Sequence, residues 1–397
     1  MTAGKPSLPL SGLRVVAFEQ AVAAPLCSRH LADLGADVIK VERRGEGDFA
    51  RAYDDVIHGT STWFAWLNRG KRSLTLDMKH PRGIEVARKL VDGADVVLQN
   101  FAPGAFDRLG LGVEQLHLRY PGLIVASITG YGEDGPYRDR KAYDLLLQAE
   151  TGVVSVTGTP EEPAKAGVSV VDLSAGVYAF GSIMTALYRR ECSGEGAAIR
   201  VNLFDSIMEW MSPLALMASY GPQPKRAAAR HASIVPYGPY RVADGRQVVL
   251  AIQNEREWQR LCSAVLRQPE LANDARFATN QERLRNRDVL ESMIEALLAG
   301  CSVEEAEDRL ERASIAYSRL NDVSEVFSHP QVLARDRLID VAVPNGRVEL
   351  LRAPFNIQGV DEAPSTVPSA GQHTDDILAE LGYDAVAIAG LHAAGAV

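Results

Sequence analysis

The chain has 397 residues, 46% of them hydrophobic and 23% charged, with a net charge of −9. That length and apolar content suffice for a full core in two domains. The acidic balance disfavours nonspecific attachment to nucleic acid or to an anionic membrane, yet leaves room for a local basic pocket around a phosphorylated ligand.

Residues 1–7 carry no charged-then-apolar leader pattern, and residues 13–18 (Leu-Arg-Val-Val-Ala-Phe) read as a short strand. From Pro25 to Leu34 apolar residues recur at helical spacing up to Gly35, and 37–41 (Asp-Val-Ile-Lys-Val) reads as a second strand. Pro81 opens a helix that Gly93 stops, before strands at 95–98 and 123–128. Strands alternating with helices of about ten residues predict an α/β fold with a doubly wound parallel sheet, its ligand at the carboxyl ends of the strands. A further strand at 197–201 and a helix from Phe204 to Tyr220 end at Gly221-Pro222, where the composition turns to Pro, Ala and basic residues. Residues 241–250 read as a hairpin around Asp244-Gly245, and helical patterns at 255–265, 281–299 and 303–312 give a smaller α+β domain. A strand at 348–351 and a capped helix within 371–382 follow. The expected domains are therefore 1–221, 222–335, and a return segment 336–397 that completes the first.

Several enzyme classes are excluded by missing motifs. No GxGxxG follows a strand, and GxxxxGK[ST], GxSxG and HExxH are absent. Cys27, Cys192, Cys262 and Cys301 show no CxxC spacing and the eight histidines no ligand spacing, so no metal is implied and a reduced, cytoplasmic setting is expected. No apolar run approaches the roughly 20 residues of a membrane span.

The most informative stretch is Gly167-Val-Ser-Val-Val-Asp172-Leu-Ser-Ala-Gly176, which predicts a short apolar strand, a carboxylate, then a buried helix. An Asp there either caps the helix or does chemistry. Positive charge is concentrated after the predicted strands, in Lys40-Val-Glu-Arg43-Arg44-Gly45 and Asn68-Arg69-Gly70-Lys71-Arg72-Ser73. Arg and Lys beside glycines suit phosphate groups, although such runs are also common on solvated faces. Glycine-rich Gly130-Tyr-Gly132 and Thr151-Gly152 offer backbone donors for a developing oxyanion.

Taken together, Asp37-Val-Ile-Lys-Val-Glu-Arg-Arg-Gly45, Gly70-Lys-Arg-Ser-Leu-Thr-Leu-Asp77, Asn100-Phe-Ala-Pro-Gly104 and Gly371-Gln-His-Thr-Asp375 resemble, in this order and over nearly the whole chain, the family III CoA-transferases. The resemblance implies a Rossmann-like large domain built from both chain ends, a small domain from the middle, and two subunits interlocked as a homodimer. It places the catalytic carboxylate on Asp172 and the coenzyme A contacts on Gln20, Ala23, Arg43, Lys71, Arg72, Asn100, Arg108 and Lys141. The partners it implies are an acyl-CoA and a carboxylic acid acceptor, without metal. Formyl-CoA transferase has histidine where this chain has Gln20, which points away from formyl or oxalyl transfer. The related α-methylacyl-CoA racemases carry histidine where this chain has Tyr143 beside Asp144, and racemisation needs an acid and a base on opposite faces. Residues 142–145 and 231–238 are similar to those of enzymes acting on short dicarboxylates such as succinate, itaconate, mesaconate, citramalate and malate. Tyr143, Asp144, Arg230 and His231 are thus candidates for the acyl pocket. Racemase-like proton transfer and a non-catalytic CoA-binding module are the alternatives.

Overall fold

The computed structural model describes residues 8–360, 363 and 365–397. Residues 1–7, with their expected lack of a leader, lie outside the described residues. Six parallel strands form the main sheet: β1 (Arg14–Phe18), β2 (Asp37–Arg43), β3 (Arg72–Leu76), β4 (Val96–Gln99), β5 (Ile124–Thr129) and β6 (Ala197–Asn202). Their order is β3-β2-β1-β4-β5-β6. Val15 to Phe18 of β1 are all buried, because a strand covered on both faces is a continuous apolar run rather than an alternating one. Val16 sits in register with Ile39 on one side and Val97 on the other. The strand order reverses between β1 and β4, so the chains leaving Phe18 and Gln99 diverge and open a crevice at that switch point.

Two of the sequence expectations are corrected. No strand leads into Asp172: the helix begins at Val170 and runs to Ser193. Val168 is exposed and has no strand beside it, while Val171, Ser174, Ala175, Ala179 and Ile183 are buried at helical spacing, so the apolar run belongs to a helix face. The Val170–Ser193 helix is also long and apolar enough to cross a membrane by length and composition, contrary to the expectation that no segment approaches a span. It packs along the Ala23–Asp33 helix, and a Cβ added at Gly176 would stand 2.7 Å from the Ala23 carbonyl oxygen, so only glycine permits this approach.

The described chain divides into two compact units, one holding residues up to Thr151, Gly167–Ser212 and Leu333–Val397, the other Gly152–Ala166 and Pro213–Val332. In the first, the C-terminal helices Thr374–Glu380 and Ala385–Ala393 send Ile377, Leu378 and Leu391 into the core that contains Val16, Ile39 and Leu74. In the second, β7 (Tyr237–Arg241), β8 (Gln247–Ala251) and β9 (Ala316–Arg319) form an antiparallel sheet over a core of Tyr240, Trp258 and Phe277. Its hairpin turns at Asp244-Gly245, with Gly245 at φ 79° and the Asp244 carboxylate accepting the Arg246 amide.

Candidate active site

Past the end of β1 the chain runs through Glu19, Gln20 and Ala21 into the helix that starts at Ala23. Across the switch point, Asn100 clamps this turn: its Oδ1 accepts the Gln20 amide at 3.0 Å and its Nδ2 donates to the Gln20 carbonyl at 2.8 Å. Gln20 and Asn100, two of the expected CoA contacts, are therefore paired with each other at the place where an open α/β sheet takes its ligand. Ala23 is buried in the first turn of its helix. Arg43 closes β2 at its carboxyl end, exposed and paired with Glu46 at 3.0 Å, and with Gln20, Arg44, Lys79 and Phe101 it lines a cleft of about 560 Å³. Arg108, at the end of a short helix, and Lys141 are both exposed.

Lys71 and Arg72 are placed differently. They lie at the amino end of β3, where Arg72 stands beside Ile39 and pairs with Asp37 and Glu380. Lys71 is buried, its three N–H groups donating to Glu19 Oε1 (2.7 Å), the Pro25 carbonyl (3.0 Å) and Asn68 Oδ1 (2.9 Å). Its ammonium is thus committed to internal acceptors, and burial pulls its pKa down to about 8 against the opposing pull of Glu19.

Asp172 sits in the first turn of the Val170–Ser193 helix, and it is not the cap. That role falls to Asp144, the first residue of the Asp144–Glu150 helix, whose Oδ1 accepts the amides of Val171 (2.8 Å) and Asp172 (3.4 Å). Its Oδ2 is held by the Gln148 side-chain amide at 2.6 Å. A helix N-terminus favours a carboxylate. Here burial, and after it the negative charge of Asp144, win: the Asp172 carboxyl is raised from 3.8 to about 7. At neutral pH it is thus shared between carboxylate and acid.

The other wall of this site is aromatic. Leu173 packs with Ala21, Trp63 and Trp66 around Val22, Leu26 and Leu67. Tyr53 stacks edge-on against Trp63, and its phenol is pushed up to about 12 by burial and then by Asp48, Asp172 and Tyr143. Tyr53 is thus within electrostatic reach of Asp48, Asp172 and Tyr143. Sequence reasoning missed Tyr53 and Asp48; the available signal was Lys40, a charge in mid-strand that requires a buried counter-charge nearby.

The expected oxyanion donors are largely spent: the Gly132 amide donates to Thr129 Oγ1 and the Thr151 amide to the Leu147 carbonyl. The Val170 and Leu173 amides likewise donate to Val168 and Ser169 carbonyls. Arg230 and His231 belong to the second unit. There Arg230 pairs with Glu291 (2.7 Å) and Glu295 (3.4 Å), while the His231 ring stacks on Tyr237 and its Nδ1 accepts the Ser233 amide. Among the described residues no cluster of three or more His, Cys, Asp or Glu is arranged to hold a metal ion.

A family model described as CoA-transferase family III matches residues 10–374. Succinyl-CoA:glutarate CoA-transferase of Mus musculus is 34% identical over 395 residues, spanning 98% of this chain and 90% of that protein. Succinyl-CoA–D-citramalate CoA-transferase of Chloroflexus aurantiacus is 32% identical over 395 residues, spanning 96% of each. Among solved structures, a CAIB/BAIF family protein from Brucella suis matches with a TM-score of 0.81 at 38% identity, covering 94% of this chain and 100% of that one.

Proposed function

The chain belongs to CoA-transferase family III, and from that premise we propose that it moves CoA from an acyl-CoA thioester to a short dicarboxylic acid with Asp172 as the nucleophile. The observation that carries this reading is the half-buried Asp172 carboxyl, anchored through its backbone by Asp144 and raised to about 7. A desolvated, aimed carboxylate is a competent nucleophile toward a carbonyl. An Asp172 oxygen attacks the thioester carbon, the C–S bond breaks, and CoA leaves as thiolate from a mixed anhydride. The thiolate then attacks the aspartyl carbonyl, releasing the donor acid as carboxylate and leaving aspartyl-CoA. The acceptor carboxylate runs both steps in reverse, so one thioester replaces another and no ATP is consumed. The names of the glutarate and citramalate relatives support a dicarboxylate acceptor.

Tyr143 stands where the racemases have histidine, which supports acyl exchange without exchange of the α-proton. Succinyl-CoA is to be offered with glutarate, citramalate, malate, mesaconate, itaconate or oxalate in deuterated water, following both products by mass spectrometry. New thioesters without deuterium at the α-carbon are the expected result. Deuterium uptake without any new thioester would make the protein a racemase instead.

CoA is taken to lie along the crevice held by Gln20, Ala23 and Asn100, with its phosphates toward Arg43, Arg108 and Lys141. Arg43→Ala and Arg108→Ala should each raise the KM for acyl-CoA about tenfold, more steeply at low salt, with little change in the KM for the acceptor acid. Arg72→Ala should instead lower the melting temperature through loss of its ion pairs with Asp37 and Glu380. An Arg72→Ala enzyme with unchanged stability and a raised KM for acyl-CoA would return that residue to the phosphates.

The domain limits 1–221, 222–335 and 336–397, a reduced cytoplasmic setting and an interlocked homodimer complete the proposal. The exposed Val177, Tyr178, Tyr188 and Trp210 of the first unit, with the Trp210 indole donating to the Tyr178 hydroxyl, support the dimer, since large apolar side chains exposed together on two helices suit an interface. Light scattering should give twice the 43.0 kDa of one chain.

A further inference from the structure

We propose that Asp48, held in place by Lys40, is a positioning residue for the transfer reaction: it fixes Ala21 in a left-handed turn and so aims the Gln20–Ala23 segment at Asp172. The inference rests on Asp172 as the nucleophile. Ala21 has φ 64°, a conformation that a residue with a Cβ takes only when its surroundings impose it. What imposes it is on one side Asn100, which holds the Gln20 peptide, and on the other Asp48, whose Oδ1 accepts the Ala21 amide at 3.0 Å. The same oxygen accepts the Ala50 amide at 2.9 Å, and Oδ2 takes Lys40 Nζ at 2.8 Å.

Lys40 and Asp48 side chains are fully buried. Lys40 also reaches Glu19 Oε1 at 3.4 Å, Glu19 is held in turn by Lys71 and Ser28, and Glu42 accepts the Asp48 amide at 2.9 Å while pairing with Arg51. Three cations and three carboxylates thus balance in the layer beneath the carboxyl ends of β1 and β2. Burying so many charges costs desolvation that an apolar core would not incur, so the network specifies geometry more than it adds stability. The geometry it specifies is that of the site. Ala21 and Leu173, the neighbour of Asp172, pack on one apolar cluster.

The test compares Asp48→Ala, Asp48→Asn, Ala21→Val and the double variant Asp48→Ala/Ala21→Gly for kcat, KM, melting temperature and hydrogen exchange of residues 19–24. Asp48→Ala should lower kcat about 100-fold, more than it raises the KM for acyl-CoA, because a misaimed thioester stays bound through its phosphates. Exchange in residues 19–24 should rise about tenfold, since the Ala21 amide loses its acceptor. Glycine takes this φ without strain, so adding Ala21→Gly should recover about tenfold in kcat without restoring the melting temperature. Asp48→Asn, which keeps an oxygen for the Ala21 amide but faces Lys40 without charge, should fall between. Should Asp48→Ala not fold, Ala21→Val decides: it leaves the ion pair intact, and a β-branched residue resists this φ, so kcat should drop. Wild-type kcat in Ala21→Val or Asp48→Ala, or no recovery in the double variant, would overturn the proposal. A wild-type protein without CoA transfer would sink the role of Asp172 instead, with faster exchange at residues 19–24 in Asp48→Ala still supporting the clamp.

Discussion

Asp172→Ala is expected to reduce CoA transfer by at least about a thousandfold, the scale on which removal of a covalent nucleophile acts. Because the helix start is held by the side chain of Asp144 and not by that of Asp172, the variant should fold and still bind CoA. Asp172→Asn sharpens the test, since it keeps the shape and removes the charge. An acid whose folded pKa is about 7 against an ordinary 3.8 releases its proton first in the unfolded state. This group therefore leaves stability untouched below about pH 4 and costs progressively more as pH rises toward 7. Asp172→Asn should accordingly be more stable than wild type at pH 8, by an amount on the order of 1–3 kcal/mol, and melt higher, with the difference closing near pH 4. Hydroxylamine trapping with acyl-CoA should label wild type at Asp172 and neither variant. Retention of more than a few per cent of the transfer rate by Asp172→Ala would remove the covalent route.

Where local chemistry decides structure, the chain could be read directly. The strand expected at 13–18 is Arg14–Phe18, and the helix between Pro81 and Gly93 is Pro81–Asp92 with Gly93 as its cap, because proline at the first turn and glycine at the end act within a few residues. The parallel sheet followed from strands spaced by helices. What escaped was non-local. Arg72-Ser-Leu-Thr-Leu76 reads as the tail of a basic cluster, and only pairing with β2 makes it a strand. Residues 168–171 are rich in valine and suit a strand, but the partner that fixes them as a helix start is Asp144, a separate segment of the chain. Lys71 reads as a phosphate contact because charge in sequence is normally solvated, and the acceptors that consume it, Glu19, Pro25 and Asn68, become visible only on folding. Around Asp172 the sequence reads as strand then helix, and the structure makes the segment helix from Val170 onward.

The role of Asp144 separates aim from ionisation, and two substitutions take them apart. Asp144→Asn keeps an oxygen for the Val171 and Asp172 amides while removing the charge that adds to burial in raising Asp172. The proposed acylation step needs Asp172 ionised, so for wild type kcat/KM should fall by about a decade per pH unit below a midpoint near 7. In Asp144→Asn the midpoint should move down, yet remain above an ordinary carboxylate because burial, the larger cause, is unchanged. Near pH 6 that variant then works closer to its own plateau than wild type does to its own. Asp144→Ala removes the acceptor altogether, freeing both amides, and should lower the plateau about 100-fold by letting the first turn shift. A pH profile whose midpoint is identical in wild type and Asp144→Asn would show that the ionisation controlling the rate is not that of Asp172.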